Sequence, residues 1–191
     1  ATDLEKELDI KECHLLNDWE SIGYSLPLMT KNDFKVIKNG NMDNSQTCLA
    51  IGPGTGLGFS VLRYVGNVPY VYPTELGNAR SYNDHLSNLF EIDNCENFIV
   101  LEDYLSGTGI KKIYAEKSGQ NLTTEEIVSG YLDDDLAKFI LNNFVVALNN
   151  ILQDLALTFN AKGGIFFAGS LMRTISEMNS INYIKEEFNK H

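Results

Sequence analysis

Between Gly52 and Gly58 glycine recurs at every second position, in Gly52-Pro53-Gly54-Thr55-Gly56-Leu57-Gly58, with apolar residues on either side. In an extended or turning backbone alternate residues face one side. The spacing therefore strips that side of Cβ atoms and lets backbone N–H groups approach a ligand closely. Thr55 adds a hydroxyl donor. Such a loop suits a phosphate held by amides. It is not a Walker A loop, since no lysine follows, and it does not fit Gly-x-Gly-x-x-Gly opening a helix. The alternative is a tight glycine-rich hairpin that binds nothing.

The second group of candidates is acidic. Asn17-Asp18 stands where a short apolar run meets a helix, a place where open α/β sheets present ligand-facing residues, and Asp18 is a candidate general base. From the residues alone the plainer reading is that one of the two is just the N-cap of the helix that starts near Trp19. Glu75 follows Pro73-Thr74, and Glu102-Asp103 precedes Ser106-Gly107. Each acid alone reads as solvated; together they matter only if the fold converges them. No metal site is expected from His14, His85 and His191, which lack ligand spacing, and no Gly-x-Ser-x-Gly motif supports a serine nucleophile. Tyr64, Tyr70 and Tyr72 lie at strand spacing and read as sheet packing, and Cys48 in an apolar strand reads as an inert thiol.

These residues need a scaffold, and the chain is large enough to supply one. It has 191 residues, 43% of them hydrophobic and 21% charged, an ordinary globular composition, and no stretch reads as apolar enough to span a bilayer. Lys+Arg total 15 against 26 Asp+Glu, for a net charge of -11. That opposes binding to nucleic acid or an anionic membrane, so any anionic ligand must be held locally. The 3 cysteines are widely spaced, without Cys-x-x-Cys, which favours a reducing, cytoplasmic setting.

Local patterns then predict the elements. A short polar helix is expected over Leu4–Leu8, a brief buried strand over Cys13–Leu16, and a helix from Trp19 to Leu26 stopped by Pro27. Lys31 to Gln46 reads as a surface connection or weak strand. Thr47–Ile51 and Phe59–Tyr64 flank the glycine turn, and Gly66-Asn67 makes a second hairpin with Tyr70–Tyr72. Ser106 caps one helix and Thr123-x-x-Glu126 is a capping box for another. Leu136, Ile140, Phe144, Leu148, Ile151, Leu155 and Phe159 form the apolar stripe of a long helix from Asp135 to Asn160. Ile165–Ala168 reads as a strand covered on both faces, and Gly169-Ser170 turns it into a helix. Hairpins mixed with strand-to-helix units give an α/β layered fold.

Five stretches, taken in order, carry a family resemblance. They are Leu15-Leu16-Asn17-Asp18-Trp19-Glu20-Ser21-Ile22-Gly23-Tyr24, Ala50 to Gly58, Pro73-Thr74-Glu75, Leu105-Ser106-Gly107, and Gly163 to Gly169. The chain resembles bacterial-type glucokinases over nearly its whole length. The resemblance implies an actin-like, ribonuclease H-like ATPase lobe with a mixed sheet, β-hairpins and flanking helices. It implies ATP-dependent phosphorylation of glucose or a related hexose at the 6-hydroxyl, with magnesium travelling with the nucleotide, and it leaves a homodimer open. By the same resemblance Asp18 is the catalytic base, Asn17, Glu75, Asn78 and Glu102 contact sugar, Gly54, Thr55, Gly56 and Gly58 form the second phosphate hairpin, and Gly169 with Ser170 lies beside the adenosine pocket.

Two motifs depart from the family pattern. Where the family reads Glu-Gly-Gly-His, this chain reads Glu75-Leu76-Gly77-Asn78, which puts the identity of the sugar in question, and a Gly-Gly pair becomes Gly169-Ser170. The family's first phosphate hairpin, Asp-x-Gly-Gly-Thr, occurs nowhere in the sequence. Residues 1–191 therefore read as part of a kinase, mainly its large C-terminal lobe, with the N-terminal lobe missing; alone, this segment is expected to be inactive. A non-catalytic sugar-binding or regulatory protein derived from a kinase is the alternative.

Overall fold

The computed structural model describes residues 2–30, 32–43 and 45–188. Its frame is a four-stranded mixed sheet in the order β3-β2-β1-β4, built from β1 (Cys48–Pro53), β2 (Leu57–Val65), β3 (Val68–Pro73) and β4 (Gly164–Phe167). The first three strands form an antiparallel meander, and β4 returns parallel to β1 after the helical half of the chain. Val65 pairs with Val68 across Gly66-Asn67, with Gly66 at φ 63, a left-handed conformation that a glycine adopts without Cβ strain.

Every residue of β1 is buried, because the sheet is covered on both faces. One face carries the larger core, built with α3 (Asn83–Phe90), α4 (Gly107–Ser118), α5 (Thr124–Ser129), α6 (Asp135–Phe159), α7 (Ser170–Ile175) and α8 (Asn182–Glu187). On the other, α2 (Asp18–Ser25) and Leu26 of the turn after it cover Cys48, Ala50, Leu62 and Val71. The helix α1 (Thr2–Glu7) precedes them.

The cap signals act as expected. Ser106 Oγ accepts from Gly109 N at 2.9 Å, and Thr123 and Glu126 form the reciprocal box. The long helix α6 begins where Asp134 accepts from the N–H groups of Leu136 and Ala137, and it ends at Asn160 in the left-handed region. By length and composition α6 is apolar enough to cross a membrane, with a mean hydropathy of 1.2 in its best window, contrary to the reading that no stretch is. More than half of that window is buried in the protein, and the stripe Ile140, Phe144, Leu148, Ile151 and Leu155 packs into the main core.

Two further expectations fail for one physical reason. Cys13–Leu16 is not a buried strand: it forms no ladder, and Leu15 and Leu16 are 70% and 46% exposed. β4 is half-buried rather than covered on both faces. A strand needs a neighbour for its backbone groups and cover for its side chains. Among the described residues no strand lies beside 13–16, and β4 stands at the sheet's edge. Among its described residues the connection before β1 forms no strand either. It runs as a strap, with Phe34 edge-on to Phe166 at 5.7 Å and Ile37 against the core. Lys31 and Asn44 of that connection, and His191, lie outside the described residues.

Candidate active site at the β1–β2 hairpin

The glycine run is a hairpin whose sides are regular strand. Gly52 pairs with Gly58 and Pro53 with Leu57, leaving only Gly54, Thr55 and Gly56 as the tip. Gly54 N donates to Gly56 O at 2.8 Å, and Gly107 N, at the start of α4, donates to Gly54 O at 2.7 Å. Thr108 and Gly109 follow in the same turn, so the tip is tied to a capped helix end. The N–H groups of Thr55 and Gly56 have no acceptor among the described residues, and Thr55 is exposed. Two adjacent free amides at an exposed tip are the donors a phosphate oxygen needs.

The stripped glycine face is largely occupied by the protein's own side chains. A Cβ at Gly58 would lie 1.5 Å from Trp19 Nε1, and one at Gly52 would lie 2.2 Å from Trp19 Cη2. A Cβ at Gly56 would lie 2.6 Å from Glu102 Oε2. Only at Gly54 is there open space. Gly58 is thus a seat for an indole, and the surface free to meet a ligand is the tip.

Asn17 and Asp18 divide the tasks that sequence leaves open. Asn17 is the N-cap of α2, its side chain accepting from Glu20 N at 2.5 Å. Asp18 is the first helical residue; its carboxylate is exposed and, among the described residues, accepts only from the adjacent Trp19 N, at 2.9 Å. Its second oxygen is uncommitted.

Glu102 bridges two parts of the site. Its Oε2 accepts from Leu57 N at 3.2 Å, and the space it fills is the one that Gly56 and Gly77 leave by having no Cβ. Gly77 belongs to a short 3-10 turn, Leu76–Asn78, that follows Glu75, and Asn78 Nδ2 donates to Glu75 Oε2 at 3.4 Å. Glu75 and Asn78 are exposed. The hairpin tip, Glu102 and the Glu75–Asn78 turn therefore form one continuous surface. No hydrogen bond or ion pair joins Asp18 to Glu75 or Glu102 among the described residues; Asp18 reaches the hairpin through Trp19.

The neighbour of Glu102 fixes it in place. Asp103 accepts from Ile99 N at 2.8 Å, Val100 N at 2.9 Å and Lys112 Nζ at 2.7 Å. Burial works to raise its carboxyl, but the bonds from Lys112 and the two amides outweigh that and hold it below the ordinary carboxylate range. At the other side of the hairpin Ala168 N donates to Ile51 O at 3.0 Å, and Gly169, at φ 102, turns the chain into α7 beginning with Ser170. Both residues are exposed, and the atom nearest to a Cβ at Gly169 would be Pro53 O at 3.8 Å. No three metal-binding side chains cluster among the described residues. The residue that sequence reading missed is Trp19. Its signal was an aromatic beside the candidate base, with two glycines placed symmetrically about the turn.

The fold is found in proteins of known structure. The chain superposes on a glucokinase from an Antarctic psychrotroph with a TM-score of 0.78 at 24% identity, covering 97% of this chain and 62% of that one. It superposes on a ROK family glucokinase from Streptomyces griseus, a complex with glucose and AMPPNP, with a TM-score of 0.61 at 14% identity, covering 100% and 62%. The fold is the actin-like ATPase fold of glucokinases and ROK kinases. Among curated proteins, the chain is 29% identical over 182 residues to a glucokinase of Saccharophagus degradans, covering 89% of this chain and 57% of that protein. It is 28% identical over 188 residues to one of Agrobacterium fabrum, covering 91% and 54%. The chain thus spans little more than half the length of these relatives. The glucokinase family profile matches residues 1–191, and the chain belongs to the glucokinase family.

Proposed function

We propose that this chain is the sugar-site and catalytic-base portion, mainly the large lobe, of a kinase that moves the terminal phosphoryl group of ATP to the 6-hydroxyl of glucose or a related hexose. The observation that supports it most is the continuity of Glu102, the Glu75–Asn78 turn and a hairpin tip with two free amides. Ionised carboxylates only accept hydrogen bonds, so Glu75 and Glu102 can take them from neighbouring sugar hydroxyls and select which hydroxyl faces the phosphate. Asn78 adds an amide beside Glu75, and Asn17, whose side-chain oxygen caps α2, keeps its NH2 group to donate beside Asp18. A primary hydroxyl is a poor nucleophile until its proton is taken, and the uncommitted oxygen of Asp18 is the group to take it.

The N–H groups of Thr55 and Gly56, with the Thr55 hydroxyl, hold the transferring phosphate by directed dipoles. Gly54 leaves the approach clear, Gly58 seats Trp19, and Gly169-Ser170 lies on the far side of β1, where the nucleoside end would rest. Magnesium bound to the nucleotide would supply charge neutralisation on the phosphates. The three cysteines are free, which supports a reducing, cytoplasmic setting.

The test is glucose-dependent ADP release by the full-length protein, with Asp18→Asn as the diagnostic variant. Asn keeps the shape and removes proton acceptance, so kcat should fall by about 10²-fold or more while glucose affinity stays within about tenfold. Unchanged kcat would remove Asp18 from the base role. Sugar binding with no phosphoryl transfer in the wild-type protein would instead favour a non-catalytic sugar binder.

A further inference from the structure

Among the described residues the candidate base has no fixed partner outside its own helix turn, yet in-line transfer demands that it stand at a defined place relative to the phosphate donors. The helix carrying it is only 8 residues long, too short to hold a position by its own stability. Its far end is anchored by Gly23, where a Cβ would meet Val71 Cγ1 at 2.7 Å and Ser60 Oγ at 3.0 Å. The end that carries Asp18 has a different anchor.

Gly52 and Gly58 are partners in the β1–β2 register, so the Cβ atoms they lack would stand side by side on one face. The indole of Trp19 lies across both vacancies. A Cβ at Gly58 would meet Nε1 at 1.5 Å and Cε2 at 1.7 Å, and a Cβ at Gly52 would meet Cη2 at 2.2 Å and Cζ2 at 2.6 Å. The five-membered ring covers β2 and the six-membered ring covers β1, and a Cβ at Gly52 would also meet Ala168 O, on the β4 side, at 2.4 Å. Neither glycine could carry even a methyl group without expelling the indole. Trp19 follows Asp18 directly, and Asp18 Oδ1 accepts from Trp19 N at 2.9 Å, so carboxylate and indole share one turn capped by Asn17.

We propose that Trp19 is a positioning residue: seated in the slot between Gly52 and Gly58, it locks the Asp18 carboxylate to the hairpin whose tip presents the Thr55 and Gly56 amides. The assignment rests on the kinase reading above. The missing Cβ atoms at 52 and 58 then serve the base, the one at 56 makes room for Glu102 and the one at 54 leaves the tip open, so one alternating run does several jobs.

The test uses the full-length protein with Trp19→Ala, Trp19→Phe, Gly58→Ala and the double variant Trp19→Ala/Gly58→Ala. A displacement of about 1 Å in a reacting group costs on the order of 10²-fold, so Trp19→Ala and Gly58→Ala should each lower kcat by about that factor while KM for hexose and ATP changes by less than about threefold. Trp19→Phe, which still fills part of the slot, should recover to within about tenfold of wild type, and the double variant should be no slower than the slower single one, because both remove the same contact. Hydrogen exchange read by mass spectrometry supplies an arm independent of activity. Peptides over 17–25 and 52–60 should lose protection together in Trp19→Ala and in Gly58→Ala, with α6 unchanged. A Trp19→Ala enzyme with kcat within about threefold of wild type, additive losses in the double variant, or unaltered exchange over 52–60 would each overturn the proposal. If the wild-type protein phosphorylates no hexose, the kinase reading fails, and exchange alone decides: joint loosening upholds the seat and unaltered exchange refutes it.

Discussion

In the proposed sugar site Glu102 would have two roles, a brace for the hairpin and an acceptor for a hydroxyl, and a pair of substitutions separates them. Its Oε2 is the acceptor for Leu57 N, a buried residue's amide, at 3.2 Å. Glu102→Ala leaves that N–H without a partner, at a cost of about 1–3 kcal/mol, toward the lower end because Glu102 is only half-buried and water can reach the gap. For a chain of this size about 1 kcal/mol corresponds to a Tm drop of roughly 2–4 °C. The same substitution also deletes an acceptor for a sugar hydroxyl, another loss of about 1–3 kcal/mol, or roughly 5- to 150-fold in sugar affinity. Glu102→Gln behaves differently. Its amide oxygen can keep the bond from Leu57 N, which turns the NH2 group toward the sugar, where an acceptor is required. Differential scanning fluorimetry with isothermal titration in the full-length protein reads both effects. Gln should hold Tm within about 1 °C of wild type while sugar affinity falls at least about tenfold; Ala should lose both. Equal Tm losses in the two variants, with sugar affinity untouched, would mean that Glu102 is only a brace for the hairpin and would refute its place in the sugar site.

Asp134→Ala should lower stability by about 1 kcal/mol in urea titrations, since the side chain caps α6 through Leu136 N and Ala137 N. The Tyr114 hydroxyl, donating at 2.6 Å, and the cap amides hold the Asp134 carboxyl below its ordinary value. Its contribution is therefore full above the unfolded pKa of about 3.9 and fades as pH falls through the lower folded value. The gap in stability between wild type and Asp134→Ala should be constant from about pH 5 to 7 and narrow below about pH 4; a gap that widens on acidification would reverse the sign of the argument. The 191-residue chain expressed alone should form no glucose-dependent ADP, because its sequence supplies one phosphate hairpin and the geometry of transfer needs donors on both sides. A coupled assay showing turnover that Asp18→Asn abolishes would mean that a second phosphate site is built from other residues of this chain.

Much of the scaffold was legible because its rules are local. Gly66-Asn67 demands a two-residue hairpin, Ser106 and the Thr123–Glu126 box demand helix starts, and the stripe from Leu136 to Phe159 demands a long half-buried helix. What was not legible depends on neighbours distant in sequence. Cys13–Leu16 has the composition of a strand, but composition cannot report that no strand stands beside it. Ile165–Ala168 reads as doubly covered, but its position at the sheet's edge is set by topology.

The glycine run marks the boundary between the two kinds of knowledge. Its spacing correctly implies a face without Cβ atoms, yet spacing cannot say what fills that face, and two different side chains do: Trp19 at Gly52 and Gly58, Glu102 at Gly56. The same division appears along the acidic stretches. In each pair one residue is consumed in holding the backbone, Asn17 as a cap and Asp103 by two amides and Lys112, while its neighbour, Asp18 or Glu102, keeps at least one oxygen outside the scaffold's bonds. A carboxylate proposed to meet substrate must be rigidly placed and also keep an oxygen unsatisfied, two demands that compete for the same acceptor atoms. Splitting them between adjacent residues resolves the conflict, which is why the informative sequence signal is the pair, an anchoring polar residue beside a spare acid, rather than either acid by itself.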